Sequence, residues 1–210
     1  MTSRAATTPA LAPTEAAILG RVRRSKPGKV FKPADFMDLA NRNAIDQGLS
    51  RLVIKGLLRR LGRGLYDRPQ VHAMLGPLLP TLDAIRKALE GKGSALRLQP
   101  SGAYAANLMG LSEQVPTRVV FLTDGASRKV KVGAQEIVLR QTTPRNMATA
   151  GRISGLVIQA LRHLGKAHLD EGALATLRNR LTPKDKACLR QDAGYAPAWI
   201  AKILQDLAKD

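Results

Sequence analysis

Residues 14 to 70 carry four patterns in a fixed order: a short helical stripe, a polar turn, a second helical stripe with Arg and Gln on its outer face, and a basic hairpin. This order is how a winged helix-turn-helix is laid out along a chain, and it narrows the amino-terminal part to a small set of compact folds. Thr14 reads as the cap of a helix that buries Ala17, Ile18 and Val22. That helix ends at the basic cluster Arg21, Arg23, Arg24 and Lys26, before Pro27-Gly28. Lys29-Val30-Phe31 reads as extended, and Pro33 opens a helix through Ala40 with Phe36 and Leu39 directed inward. Residues 41–43 make the turn. A helix to about Lys55 follows, with Ile45, Leu49, Leu52 and Val53 at helical spacing, and Gly56 stops it. Leu57 to Leu61 and Leu65 to Asp67 then read as two strands around Gly62-Arg63-Gly64.

Charge separates the two ends of the chain. The formal net charge is +18 over 210 residues, with a pI near 10.9. Residues 1–70 hold 14 Lys and Arg against 5 Asp and Glu, and residues 71–210 hold 20 against 11. Each part carries +9, so the amino-terminal third is about twice as charge-dense, as expected of a surface that meets a polyanion. The single cysteine, Cys188, excludes an intramolecular disulfide and a multi-cysteine zinc site, which fits a reducing compartment, with the cytoplasm as the expected location. Residues 1–13 are small and polar, without the apolar run of a signal peptide, and read as a disordered leader. No stretch approaches the roughly 20 apolar residues of a membrane span, so no membrane partner is expected.

The Asp67-Arg68-Pro69-Gln70 stretch reads as a domain boundary, with a second domain over residues 75–210. Thr81 caps a helix to about Leu89, Ser94 to Leu98 reads as a strand, and Ser101 to Leu111 is helix-like. Thr117 to Leu122, Lys129 to Val132 and Glu136 to Arg140 alternate as strands of one sheet. A helical stripe runs from Arg152 to Leu164, and three more helices are expected at about 170–181, 183–190 and 197–208. The fold class is therefore α+β: an amino-terminal winged helix-turn-helix over 14–70, then a mixed α+β domain with a small sheet and several helices.

The residue types on the second helix suit a DNA groove. Arg pairs two donors with guanine, Asn or Gln does the same with adenine, and Ser donates or accepts. The groove-facing set is Arg42, Asn43, Gln47, Ser50 and Arg51, although the same residues would also serve as the solvated face of an ordinary amphipathic helix. Arg59, Arg60 and Arg63 of the hairpin are placed to neutralise phosphates beside it. Asp46 is the exception, because a carboxylate near phosphates or base edges is unfavourable unless it pairs with Arg42 or accepts from a cytosine amine. Catalytic signals are weak. His72, His163 and His168 are scattered, and no phosphate-cradling glycine motif occurs. Asp170-Glu171 suits a helix start, Asp124 a turn and Cys188 a core face. No enzyme activity, cofactor or metal is expected.

Residues 32–69 (KPADFMDLANRNAIDQGLSRLVIKGLLRRLGRGLYDRP) resemble the winged amino-terminal domain of AbiEi-like antitoxins. Residues 101–133 (SGAYAANLMGLSEQVPTRVVFLTDGASRKVKVG) and 155–166 (GLVIQALRHLGK) resemble the domain that follows it in one branch of that family, and the likeness runs over roughly residues 14–208. The resemblance implies the antitoxin of a type IV toxin–antitoxin pair associated with phage defence. It implies a winged domain that binds double-stranded DNA at inverted repeats in its own promoter and represses the operon. It also implies a second domain that counters a nucleotidyltransferase-type toxin without a stable complex. On this reading the DNA contacts fall on Arg42, Asn43, Gln47, Ser50 and Arg51, with Arg59, Arg60 and Arg63 in a wing that runs into Gly64-Leu65-Tyr66. Two alternatives stay open: an RNA-binding accessory protein, suggested by Arg128, Lys129 and Lys131, and a transcriptional regulator with no toxin partner.

Overall fold

A computed structural model of the chain describes residues 11–91, 96–133 and 135–209. The chain divides into two compact units, one ending at Leu89 and the other beginning at Glu90. Both mix helices with small sheets, as the α+β reading expects. Most of the expected leader, residues 1–10, lies outside the described residues, and its last residue, Pro13, already belongs to a helix.

Helix α1 spans Pro13–Arg24. Pro13 occupies the first turn, where its missing N–H costs nothing, and Arg21, Arg23 and Arg24 sit in the last turn, where the helix dipole favours cations. Thr14 lies inside this helix and does not cap it; the capping position belongs to Ala12, which offers no side-chain acceptor. Helix α2, Arg42–Ile54, starts at Asn41, whose side chain accepts from the Ala44 amide at 3.0 Å. Ile18, Leu19 and Val22 of α1 bury against Ile45, Leu49 and Leu52 of α2, and Phe31, Phe36, Leu58 and Tyr66 close the same core.

Between the helices the chain forms strand β1, Val30–Phe31, and a single 3-10 turn, Pro33–Phe36, where an α-helix through Ala40 was expected. The cause is Arg21. Its guanidinium donates to the Asp35 carbonyl at 2.7 Å, occupying the acceptor that a continuing α-helix would offer to the Leu39 amide, which bonds instead to the Phe36 carbonyl at 2.8 Å. Strands β2, Arg59–Gly62, and β3, Leu65–Asp67, follow α2 and form the expected hairpin. The three strands make an antiparallel sheet in the order β1-β3-β2, with Phe31 opposite Tyr66 and Gly62 opposite Leu65. Gly64 closes the hairpin at φ +71°, a backbone conformation that a side chain would strain.

The boundary expected at 67–70 falls inside the first unit. Arg59 reaches from β2 to the Asp67 carboxylate and to the Leu78 carbonyl at 2.7 Å, so the chain after Asp67 stays tied to the sheet. That following chain forms a second hairpin, β4 (Gln70–His72) with β5 (Gly76–Leu78), and helix α3 (Leu82–Glu90), to whose start the Thr81 hydroxyl lends an acceptor at 3.2 Å.

The second unit holds a four-stranded sheet in the order β6-β7-β9-β8, built from Leu98–Ser101, Arg118–Thr123, Gln135–Gln141 and Arg128–Val132 respectively. β7 and β9 run parallel and the other pairs antiparallel. The strand expected from Ser94 begins only at Leu98 among the described residues. Helices α4 (Gly102–Leu108) and α5 (Pro144–Met147) flank the strands. The long apolar stripe is helix α6 (Ile153–Leu164), and α7 (Glu171–Arg180), α8 (Pro183–Asp192) and α9 (Ala198–Leu207) follow. Val157, Ile158 and Leu161 of α6 pack with Leu189 of α8 and Ile200 and Leu204 of α9 in one core. At Gly155 a Cβ would collide with the Thr149 backbone carbonyl, so only glycine lets α6 start this close to the preceding loop.

Arg21 also pairs with Asp38, at 2.6 Å to one carboxylate oxygen, and this hydrogen-bonded partner pulls the Asp38 carboxyl from the ordinary 3.8 down to about 2. Because the folded value is the lower one, the pair contributes its stability above about pH 4 and loses it as the pH falls through about 2. Carbon-detected NMR titration is expected to place Asp38 near 2 in the unaltered protein and near 3.8 in Arg21→Gln. An ordinary value in both would remove the pair in solution.

Candidate nucleic-acid interface

Helix α2 buries Ile45, Gly48, Leu49 and Leu52, which turns Asn43, Gln47, Ser50 and Arg51 to solvent as one stripe at spacings of four, three and one. A Cβ on Gly48 would come within 3.0 Å of Ile18 Cδ1, so the small residue is what allows α1 to lie close against the inner face. The outer face holds no bulky apolar side chain until Ile54, which is 82 % exposed.

The cations of this face are not equivalent. Arg42 is exposed but engaged: its Nε donates to Asp46 at 2.8 Å, one helical turn away. That pair offsets the unfavourable carboxylate that Asp46 would otherwise present. Arg51 lies 3.7 Å from Glu15 of α1, and Lys55 donates to the other Glu15 oxygen at 2.6 Å. Glu15 is buried, and the Lys55 hydrogen bond holds its carboxyl below the usual glutamate value, so it stays ionised and tethers the carboxy-terminal end of α2 to α1. Glu15 has no place among the residues expected from charge and motif. Its signal was its position on the same buried stripe as Ile18, Leu19 and Val22, where an acid requires a partner.

In the hairpin, Arg59 differs from its neighbours. It forms two hydrogen bonds with the buried Asp67 carboxylate, at 3.0 and 2.6 Å, and a third to Leu78, which occupies the guanidinium. Arg59 is therefore a structural clamp, engaged through Nε and Nη2, in addition to being one of the cations the sequence placed beside phosphates. Arg60 and Arg63 are exposed and have no ion pair among the described residues, as is Arg68 just beyond β3. At the end of α1, Arg23, Arg24 and Lys26 are likewise exposed. Exposed cations without an ion pair among the described residues are thus found at the end of α1 and in the β2–β3 hairpin and the residue just after it, whereas those of α2 are engaged.

Among the residues set aside as catalytic candidates, His72, Asp170 and Asp124 make local structural hydrogen bonds. His72 accepts from the Met74 and Leu75 amides in its own turn, and Asp170 caps α7 through the Ala173 amide at 2.8 Å. Asp124 accepts from the Arg97 amide and Nε, both at 2.9 Å, which lowers its pKa. Cys188 is part-buried, with its Sγ 3.6 Å from Ser154 Oγ and from an Asp192 oxygen, while Arg152 pairs with buried Asp192 at 2.7 Å. Among the described residues no cluster of His, Cys, Asp and Glu is arranged to hold a metal ion, and no helix is long and apolar enough to cross a membrane.

The chain belongs to a family of unknown function, DUF6088, whose model matches residues 17–189. The match takes in α2, the β2–β3 hairpin and most of the second unit. No curated protein matches the chain.

The division of labour in the hairpin is testable through stability. Arg59→Ala leaves Asp67 buried without its partner and is expected to cost about 3–5 kcal/mol, whereas Arg63→Ala at an exposed turn should change stability by less than about 0.5 kcal/mol. Urea unfolding of both variants measures this. Equal, small losses would mean that Arg59 is not the clamp described.

Proposed function

We propose that the first unit is a winged helix-turn-helix that docks α2 in the major groove of double-stranded DNA, with the β2–β3 hairpin as the wing on the neighbouring backbone. The observation that carries this reading is the exposed stripe Asn43, Gln47, Ser50 and Arg51 on a helix pinned from behind, in the same unit as the unpaired arginines Arg60 and Arg63. Asn, Gln, Ser and Arg are the side chains that read base edges, and unpaired arginines are what phosphates attract. Phosphate contacts in the wing are assigned to Arg60 and Arg63, and the role of Arg42 is tempered by its bond to Asp46.

Joined to the resemblance to AbiEi-like antitoxins, this supports a transcriptional autorepressor and antitoxin, binding inverted repeats upstream of its own gene and countering a nucleotidyltransferase-type toxin in the cytoplasm. One module makes a small interface, so two copies on repeated half-sites suit stable occupancy. A second reading, RNA binding, draws on the exposed Arg128, Lys129 and Lys131 of β8. β8 is an edge strand, however, and charged side chains on an edge also serve to block pairing with another sheet.

Binding of the full chain to its upstream duplex and to a scrambled one, followed across salt concentrations, tests the docking. Gln47→Ala, free of the Glu15 tether that complicates Arg51, is expected to cost about 1–3 kcal/mol on the upstream site and little on the scrambled one. Arg63→Ala should weaken both and reduce the slope of log K against log salt by about one. Equal losses on both duplexes for Gln47→Ala, or tighter binding to an RNA hairpin than to the duplex, would overturn the reading.

A further inference from the structure

The second unit contains a cavity of about 290 Å³, just below the roughly 300–1,000 Å³ of small-ligand pockets. Its polar wall is assembled from separate elements: Ser101 at the end of β6, Arg140 near the end of β9, Asn146 on α5, and Gln159, Arg162 and His163 on α6. The α6 residues fall at i, i+3 and i+4, which puts them on one face of the helix.

Two features of this wall point to an anion. The first is charge without countercharge. Arg140 and Arg162 both line the cavity, no carboxylate does, and neither arginine has an ion pair among the described residues. Guanidinium forks match phosphate geometry and hold it by two parallel hydrogen bonds. The second feature is a free donor on the cavity wall. Gln159 is 5 % exposed, and its carboxamide oxygen accepts from the Ser101 hydroxyl at 3.1 Å. Its amide nitrogen has no partner among the described residues, yet no fully enclosed side-chain polar atom there is left unsatisfied, so the NH₂ keeps its contact surface in the cavity that Gln159 lines. In that place the NH₂ can donate to an oxygen of a bound molecule.

We propose that this cavity is a binding site for a small organic phosphate no larger than a mononucleotide, with Arg140 and Arg162 on the phosphate and the Gln159 NH₂ on a further oxygen of the ligand. Apart from His163 the lining offers no ring on which a base could stack, so recognition rests on the phosphate and sugar. The site depends on the second unit alone and stands whether or not the first unit binds DNA.

Calorimetric titration of the full chain with inorganic phosphate, ribose 5-phosphate and AMP, at one ionic strength in a phosphate-free buffer, tests it. Ribose 5-phosphate and AMP are expected to bind saturably at one site with similar affinity, and inorganic phosphate more weakly. Arg140→Ala and Arg162→Ala should each weaken binding about tenfold or more. Gln159→Glu, which places a carboxylate in the cavity at nearly constant volume, should abolish it, with circular dichroism confirming the fold. The double variant Arg128→Ala/Lys129→Ala removes two positive charges from the edge strand and should leave binding unchanged. No saturable binding of either organic phosphate, tighter binding of inorganic phosphate than of ribose 5-phosphate, or an equal loss in the edge-strand control would overturn the proposal.

Discussion

The arrangement of the first unit turns on one buried carboxylate. Glu15 lies on the inner stripe of α1, where an ionised acid is tolerated only with a partner, and it finds Lys55 at 2.6 Å and Arg51 at 3.7 Å on the far helix. Apolar contacts of Ile18, Leu19 and Val22 with Ile45, Leu49 and Leu52 decide which face of α2 is buried. A charge pair with fixed donors then ties the carboxy-terminal end of α2 to α1 at one place. Gly48 adds a close contact, since a Cβ there would sit 3.0 Å from Ile18 Cδ1 and require that methyl to shift. The exposed stripe of α2 therefore presents its polar residues from a fixed support, which a surface that reads base edges requires.

The same principle separates arginines that look alike in the sequence. Arg59, Arg60 and Arg63 lie within five positions, and charge alone assigns all three to a polyanion. Only the fold shows that Asp67, opposite Arg59 across the β2–β3 pair, is buried and takes that guanidinium for itself. Arg21 likewise belongs to a basic cluster by composition, yet it works as a local organiser, binding the Asp35 carbonyl and the Asp38 carboxylate.

This contrast indicates what was legible in advance. Helices with a repeating apolar stripe and a clear stop, such as α2 and α6, and strands with alternating patterns, such as β8 and β9, were readable because their signal is local. The 3-10 turn at Pro33–Phe36 was not, since its surroundings include Arg21, twelve or more residues away, which bonds to the Asp35 carbonyl. The boundary at Leu89 was hidden for a similar reason, because Pro69 punctuates the chain while Arg59 holds the following hairpin to the sheet. The exposed stripe of α2 was visible as a pattern, but its division into engaged and free residues was not. The cavity wall of the second unit drew no motif, because Ser101, Arg140 and Gln159 come together only through the sheet and α6.

The central claim is that the first unit recognises a particular DNA sequence and does not merely attract polyanions, as a chain of charge +18 would in any case. The most direct measurement is equilibrium binding of the full chain to the duplex upstream of its own gene against a scrambled duplex of equal length, at one near-physiological salt concentration. The account predicts binding to the upstream duplex at least about a thousandfold tighter, the lower end of the ratio for specific binders. Equal affinity for the two duplexes would contradict it and reduce the basic surface to generic electrostatics.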